Sequence, residues 1–264
     1  MESLSLADLN IFLVEPSEMQ RKLIVNELKR EGIETIDSCG CKEDAVTMIR
    51  TLRPDLVISS MYFEDGTGLD LLRLIRNDAE LDELPFMLIS SETKRHALEE
   101  FKQSGVVAIL PKPFTRAHLG QAIKATLDLL SQQTLELEYY DLESLRVLVV
   151  DDSSMARKVI IRVLTNLGIV NVTQAIDGSD AIKLLQDATF DLIVTDYNMP
   201  EVNGLELTEH VRQSPNHSHV PVLMVTSEAS DAHLENVAQA GVNAILDKPF
   251  QPENIQRLLT SMLG

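Results

Sequence analysis

The sequence predicts two open, doubly wound α/β domains in tandem, each built of five βα units. Two observations predict this: an internal repeat that keeps one register, and an alternation of short, nearly all-apolar strands with amphipathic helices. With 264 residues and a hydrophobic content of 44%, the chain can fill two ordinary cores.

The repeat runs at a constant offset of 136 residues, carrying Val14 onto Val150 and Ser17 onto Ser153. Met19, Arg21, Lys22, Ile24 and Leu28 fall on Met155, Arg157, Lys158, Ile160 and Leu164. The register holds through Asp55-Leu56 on Asp191-Leu192, Gly68-Leu69 on Gly204-Leu205 and Pro85 on Pro221, to Lys112-Pro113-Phe114 on Lys248-Pro249-Phe250. In the second copy, Val147 to Val150 reads as a strand. The helix after it places Met155, Val159, Val163 and Leu167 on one face, with Ser153 as its cap. A strand near Val170 to Ala175, a helix from about Ser179 to Gln186 and the apolar strand Leu192 to Thr195 follow. Then come Val222 to Val225, Ala244 to Leu246 and a helix containing Ile255, Leu258 and Leu259. Strands apolar along their whole length fit a parallel sheet covered by helices on both faces. Between the copies, Leu127, Leu130, Thr134 and Leu137 have helical spacing, so the last helix of the first domain is expected to run on toward about Glu138.

A formal charge of -18, from 41 acidic and 23 basic residues, argues against nucleic acid and anionic membranes as partners. No apolar run has the roughly 18 residues of a spanning helix. The start, MESLSLADLN, reads as that of a cytoplasmic protein without a signal peptide. Cys39 and Cys41 stand in one Cys-Gly-Cys triplet, a spacing that disfavours a disulfide framework, and no further cysteines complete a zinc site. His217 and His219 invite a metal reading, but SPNHSHVP reads as an exposed loop. Gly68 and Gly204 are read as turn residues leading into helices.

Sheets of this kind carry their sites beyond the carboxyl ends of the strands. There the second copy gathers Asp151, Asp152, Asp196, Thr226 and Lys248. Three carboxylates beside one lysine call for a bound cation or an upward-titrating acid, and an all-oxygen donor set suits Mg²⁺. Phosphoryl transfer onto a carboxylate needs positive charge at the equatorial oxygens, which Mg²⁺ and Lys248 can supply while Thr226 donates a hydrogen bond. Asp196 is the candidate nucleophile, because Asp151 and Asp152 form an adjacent pair suited to the ion.

The runs VLVVDDSSMARKVI, DLIVTDYNMPEVNG, VPVLMVTSE and ILDKPF resemble the receiver domains of two-component response regulators, most closely the small chemotaxis type. The resemblance implies a flavodoxin-like sheet of order 2-1-3-4-5 in each domain. It implies that Asp196 is phosphorylated by a sensor histidine kinase or a histidine phosphotransfer protein. It also implies a Mg²⁺ site formed by Asp151, Asp152, Asp196 and the Asn198 carbonyl, with Thr226 as switch hydroxyl, Lys248 as phosphoryl-binding lysine, and Asn198 and Glu228 tuning phosphoryl loss. Output would be contact with a downstream effector protein. The face of the fourth helix, fifth strand and fifth helix is the family's usual signalling surface and the expected place for a homodimer to pair. Such proteins are signalling proteins rather than enzymes, and the chain reads as a bacterial phosphorelay component. The Lys-Pro bonds at Pro113 and Pro249 are often cis in the family. One departure is Ile245, and Ile109 in the first copy, where the family places an aromatic residue; an aliphatic side chain cannot make the same inward rotation.

The first copy has Glu15-Pro16 for Asp151-Asp152, Ser60 for Asp196 and Ser90 for Thr226, and keeps Lys112. Serine offers no carboxylate for metal or acyl phosphate, and Ser59, Asp65 and Asp70 do not repair the loss. Lys112 is read as solvated or structurally paired. Residues 8–130 therefore read as a pseudo-receiver, 131–144 as a helical linker and 145–264 as the phosphorylatable receiver. The alternatives are a non-phosphorylated interaction or scaffold module and an aspartyl-nucleophile phosphatase. The latter would carry a second Asp where Asn198 stands.

Overall fold

The computed structural model describes residues 5–92, 95–130, 142–226, 240–248, 254, 255, 257 and 258. The chain divides into two compact units, Met1–Ser131 and Gln132–Gly264.

In the first unit the elements are β1 (Asn10–Val14), α1 (Glu18–Arg30), β2 (Thr35–Cys39), α2 (Lys42–Leu52) and β3 (Leu56–Ser60). These are followed by β4 (Tyr62–Phe63), β5 (Gly66–Thr67), α3 (Gly68–Arg76), β6 (Phe86–Ser90), α4 (Arg95–Gln103), β7 (Ala108–Pro111) and α5 (Arg116–Leu130). The second has β8 (Arg146–Val150), α6 (Ser154–Asn166), β9 (Asn171–Ala175), α7 (Gly178–Asp187), β10 (Leu192–Asp196), α8 (Gly204–Gln213), β11 (Val222–Thr226) and β12 (Ala244–Asp247). Asn254, Ile255, Arg257 and Leu258 are helical, while Leu259 lies outside the described residues.

Each unit holds a five-stranded parallel sheet, ordered β2-β1-β3-β6-β7 in the first and β9-β8-β10-β11-β12 in the second. Counted within a unit by βα repeats, both are the predicted 2-1-3-4-5. The inner strands LVISS, FMLIS, LIVTD and VLMVT are buried along their whole length, as helices on both faces require. The edge strands TIDSC and NVTQA are mostly half-buried or exposed and more polar, which suits a position with one open side.

Several local expectations shift. Ser153 does cap α6, accepting from the Ala156 amide. The buried stripe of α6, however, is Ala156, Ile160, Val163 and Leu164, continued by Leu167 at its C-cap, and Met155 and Val159 are only half-buried. The apolar face is wide enough that a period of four drifts off its centre. The first unit also inserts an antiparallel hairpin, β4-β5, absent from the sequence reading. Its Asp65 accepts from the Lys42 and Glu43 amides at 3.0 and 2.9 Å, capping α2. Helix α5 extends to Leu130, and the expected continuation toward Glu138 lies outside the described residues. The Lys112-Pro113 bond is cis, and Pro249 lies outside the described residues.

Opposite the carboxyl ends, a matched pair of arginines ties the loops of each unit. Arg76 donates to the carbonyls of Asp82, Leu84, Ser104 and Gly105. Arg212, its repeat partner, donates to those of Ser218, Val220 and Gly241 and to Asn243 Oδ1. The sequence reading missed both, since an arginine on an amphipathic helix looks like surface; their identical places in the repeat were the available signal.

His217 corrects the exposed-loop reading. It is buried at 6% exposure while His219 is exposed, and its repeat partner is Leu81, which is buried as well. Its Nδ1 lies 3.1 Å from the Ser214 hydroxyl, and among the described residues its buried Nε2 finds no hydrogen-bond partner.

Candidate functional site

Parallel pairing sets the level of the strand ends in the second unit. Thr195 stands opposite Val150 and Asp196 opposite Val225, while Thr226 stands opposite Asp247. Asp151 therefore emerges beside Asp196, and Lys248 beside Thr226. The Lys248 amide donates to the Thr226 carbonyl at 2.8 Å, which locks the two edges of the site together.

Asp151, Asp196, Thr226 and Lys248 are all buried, and Asp152 is exposed. Carboxylate oxygens of Asp151, Asp152 and Asp196 lie within 4.8 Å of one another. Lys248 Nζ bridges two of them, at 2.7 Å from Asp151 Oδ2 and 3.0 Å from Asp196 Oδ1. Asp151 Oδ1 accepts from the Ser153 amide at 2.8 Å, and its carbonyl accepts from the Arg157 guanidinium. Asn198 is exposed just beyond β10, and Glu228 lies outside the described residues. Ile245, in β12, is half-buried.

Burial pushes the Asp196 carboxyl up to about 6, helped by the charges of Asp151 and Asp152 and opposed by Lys248. Asp151 is also raised by burial, against the pull of Lys248 and the Ser153 amide. Burial alone would lower Lys248, yet the two carboxylates outweigh it and raise its ammonium. One lysine cannot balance three acids, and the residual negative charge is relieved by a raised carboxyl, as at Asp196, or by a further cation.

Helix α8 begins hard against the acceptor strand. A Cβ on Gly204 would meet the Asp196 carbonyl oxygen at 2.1 Å, so glycine is required there by close approach rather than by turn geometry. Gly68 repeats this against the Ser60 carbonyl at 2.5 Å.

The first unit places Glu15, Ser60, Ser90 and Lys112 at the matching strand ends, the first three buried and Lys112 half-buried. Lys112 is paired, lying 2.9 Å from Glu15 Oε2 and 2.6 Å from Gln20 Oε1. Burial would raise the Glu15 carboxyl, but hydrogen bonds from Ser60, Lys112 and the Ser17 amide hold it below its ordinary value. Pro16 is exposed. Ser59 donates to the Ser60 carbonyl and Asp70 accepts from Thr67, so neither serves the pocket.

The family match agrees with a division into two like domains. Residues 11–124 and 147–260 both match the response regulator receiver domain. The chemotaxis protein CheY of Pseudomonas aeruginosa is 43% identical over 124 residues, covering 46% of this chain and 100% of that protein. CheY-3 of Vibrio cholerae is 38% identical over 117 residues, 44% of this chain and 90% of that one. Among solved structures, Vibrio cholerae CheY4 has 35% identity over 45% of this chain and 98% of that one, with a TM-score of 0.42. A receiver domain of a Pseudomonas aeruginosa sensor histidine kinase, with magnesium coordinated in its active-site cleft, has 31% identity over 46% and 98%, with a TM-score of 0.42. The chain belongs to the response regulator receiver family. It is a tandem receiver protein, and its function is that of a response regulator in two-component signalling. Among the described residues no helix is long and apolar enough to cross a membrane.

Proposed function

We propose that the second receiver, residues 145–264, accepts a phosphoryl group on Asp196 from a phosphohistidine and that the first, residues 8–130, is a pseudo-receiver. The observation that carries this reading is the cluster of three acids within 4.8 Å with Lys248 bridging two of them. In the first unit the same places hold Glu15, Pro16 and Ser60.

The donor set is all oxygen and carries more negative charge than its lysine balances, which fits Mg²⁺. Asp151, Asp152, Asp196 and the Asn198 carbonyl would hold it, and when bound it supplies positive charge to the phosphoryl oxygens. Asp196 attacks phosphorus with a carboxylate oxygen; the P–O bond forms as the P–N bond breaks, and the imidazole leaves with that electron pair. Lys248, already on Asp196, follows the charge onto the phosphoryl oxygens, and the Thr226 hydroxyl donates to one of them. By the family resemblance, Asn198 and Glu228 tune the hydrolysis of this group. The output is protein contact in a chemotaxis-like phosphorelay of the cytoplasm, with a homodimer as one form of pairing.

Intact mass after exposure to acetyl phosphate tests the assignment. Wild type is expected to gain one Mg²⁺-dependent, base-labile phosphoryl group, and Asp196→Asn none. An undiminished gain in Asp196→Asn would refute it.

A further inference from the structure

Glu15 follows β1 as Asp151 follows β8, and both bond the same two partners. The Ser17 amide donates to Glu15 Oε1 at 3.0 Å, as the Ser153 amide donates to Asp151 Oδ1 at 2.8 Å. The lysines Lys112 and Lys248 reach the other oxygen at 2.9 and 2.7 Å. The difference lies in the third neighbour. In the second unit it is the Asp196 carboxylate, which repels Asp151; in the first it is the Ser60 hydroxyl, which donates to Glu15 Oε2. A longer acid and a shorter acceptor residue are complementary changes. The added methylene carries the Glu15 carboxylate toward the space that the lost Asp side chain leaves, and the hydroxyl receives it.

Glu15 is only 3% exposed, and its charge is matched by that of Lys112. Buried and satisfied by three donors, it leaves this pocket no charge imbalance for a cation to relieve. An anionic oxygen facing both a lysine and a hydroxyl is also what a bound phosphoryl group would present. The consequence reaches the strand ends. The Lys112 amide donates to the Ser90 carbonyl at 2.7 Å. The Ser90 hydroxyl in turn donates to Met61 Sδ at 3.1 Å and accepts from the Glu92 amide at 2.9 Å. Gln20 holds Lys112 from α1. The hydroxyl and lysine that would answer a phosphoryl group are both already engaged.

We propose that the Glu15 carboxylate is a built-in occupant of the first unit's pocket, fixing that unit in one switch state without metal or phosphoryl group, so that its surface is constitutive. This does not depend on which residue of the second unit accepts a phosphoryl group.

Amide hydrogen exchange on the full chain, read by unit, tests it. Adding Mg²⁺ and beryllofluoride is expected to leave protection in residues 11–124 unchanged. Protection around Asp151 and Asp196 is expected to rise; its failure to rise would count against the phosphoryl site of the second unit and not against this proposal. Glu15→Gln keeps the shape and removes the charge, and is expected to lower protection in β6 and β7 with no ligand present. Should Glu15→Gln fail to fold, Ser60→Ala, which removes one donor and no charge, is expected to lower the same segments less. Ligand-dependent protection in the wild-type first unit overturns the proposal. So does unchanged protection of β6 and β7 in the variant that folds.

Discussion

Glu15 and Asp151 occupy the same position at the end of the first strand of their units, bond the same backbone amide and reach the same lysine, yet they leave opposite pockets behind. Beside Asp151 stand two more carboxylates and an unbalanced charge; beside Glu15 stands a hydroxyl and a closed set of hydrogen bonds. Sheet order, Gly68 and Gly204, and the arginine clamps are common to both. Receiver architecture therefore tolerates either pocket, and under the function proposed above a few side chains at the strand ends set competence for phosphoryl transfer.

The largest difference is expected from deleting the lysines. Lys248→Met leaves buried carboxylates without their cation and is expected to destabilise the metal-free second unit by about 3–5 kcal/mol. Mg²⁺ affinity should rise in that variant while phosphoryl uptake falls. Lys112→Met removes a half-buried partner from an acid that retains Ser60 and the Ser17 amide, and about 1–3 kcal/mol is expected. Denaturant titration with and without Mg²⁺ separates the two, and equal losses would break the comparison.

A smaller effect, opposite in sign between the units, follows from pH. Asp196 titrates at about 6 against an ordinary 3.8, so in chelator its contribution is complete below about pH 4 and is lost as pH rises through 6. Lys248, raised, keeps its contribution throughout that window. Glu15 is lowered from 4.5, so its contribution is present above that value and is lost as pH falls through its folded pKa. Exchange protection in chelator should thus decline with rising pH around Asp151 and Asp196 and with falling pH around Glu15, with Mg²⁺ removing the first trend. Parallel trends in both units would contradict the electrostatic account.

The smallest effect is at the far end of the sheet. His217→Leu installs the residue found at Leu81 and removes a buried nitrogen that has no partner among the described residues. A gain of about 1–2 kcal/mol in the second unit is expected by calorimetry, and a loss would mean that the imidazole is satisfied in solution.

The sheet and most of the second site were legible in the sequence because they rest on periodicity and on a repeat. All-apolar strands declare a covered parallel sheet, and strand-end residues must converge wherever such strands pair in register. Glu15 was legible only as a missing aspartate. Its bonds to Ser60 and Lys112 join residues 45 and 97 positions apart, and no local pattern reports that a longer acid has met a shorter partner. The β4-β5 hairpin was hidden because Asp65 resembles any loop acid until α2 is placed beside it. His217 was misread for a similar reason: SPNHSHVP is polar in composition, and only its alignment with Leu81 would have marked the buried position.

The central claim is that one copy of a duplicated domain retains phosphoryl chemistry and the other has closed its pocket. Counting phosphoryl groups per chain and mapping them by borohydride reduction tests it most directly. One group, on the peptide containing Asp196, is the predicted result. A second group within residues 11–124, or a single group located anywhere but Asp196, would contradict it.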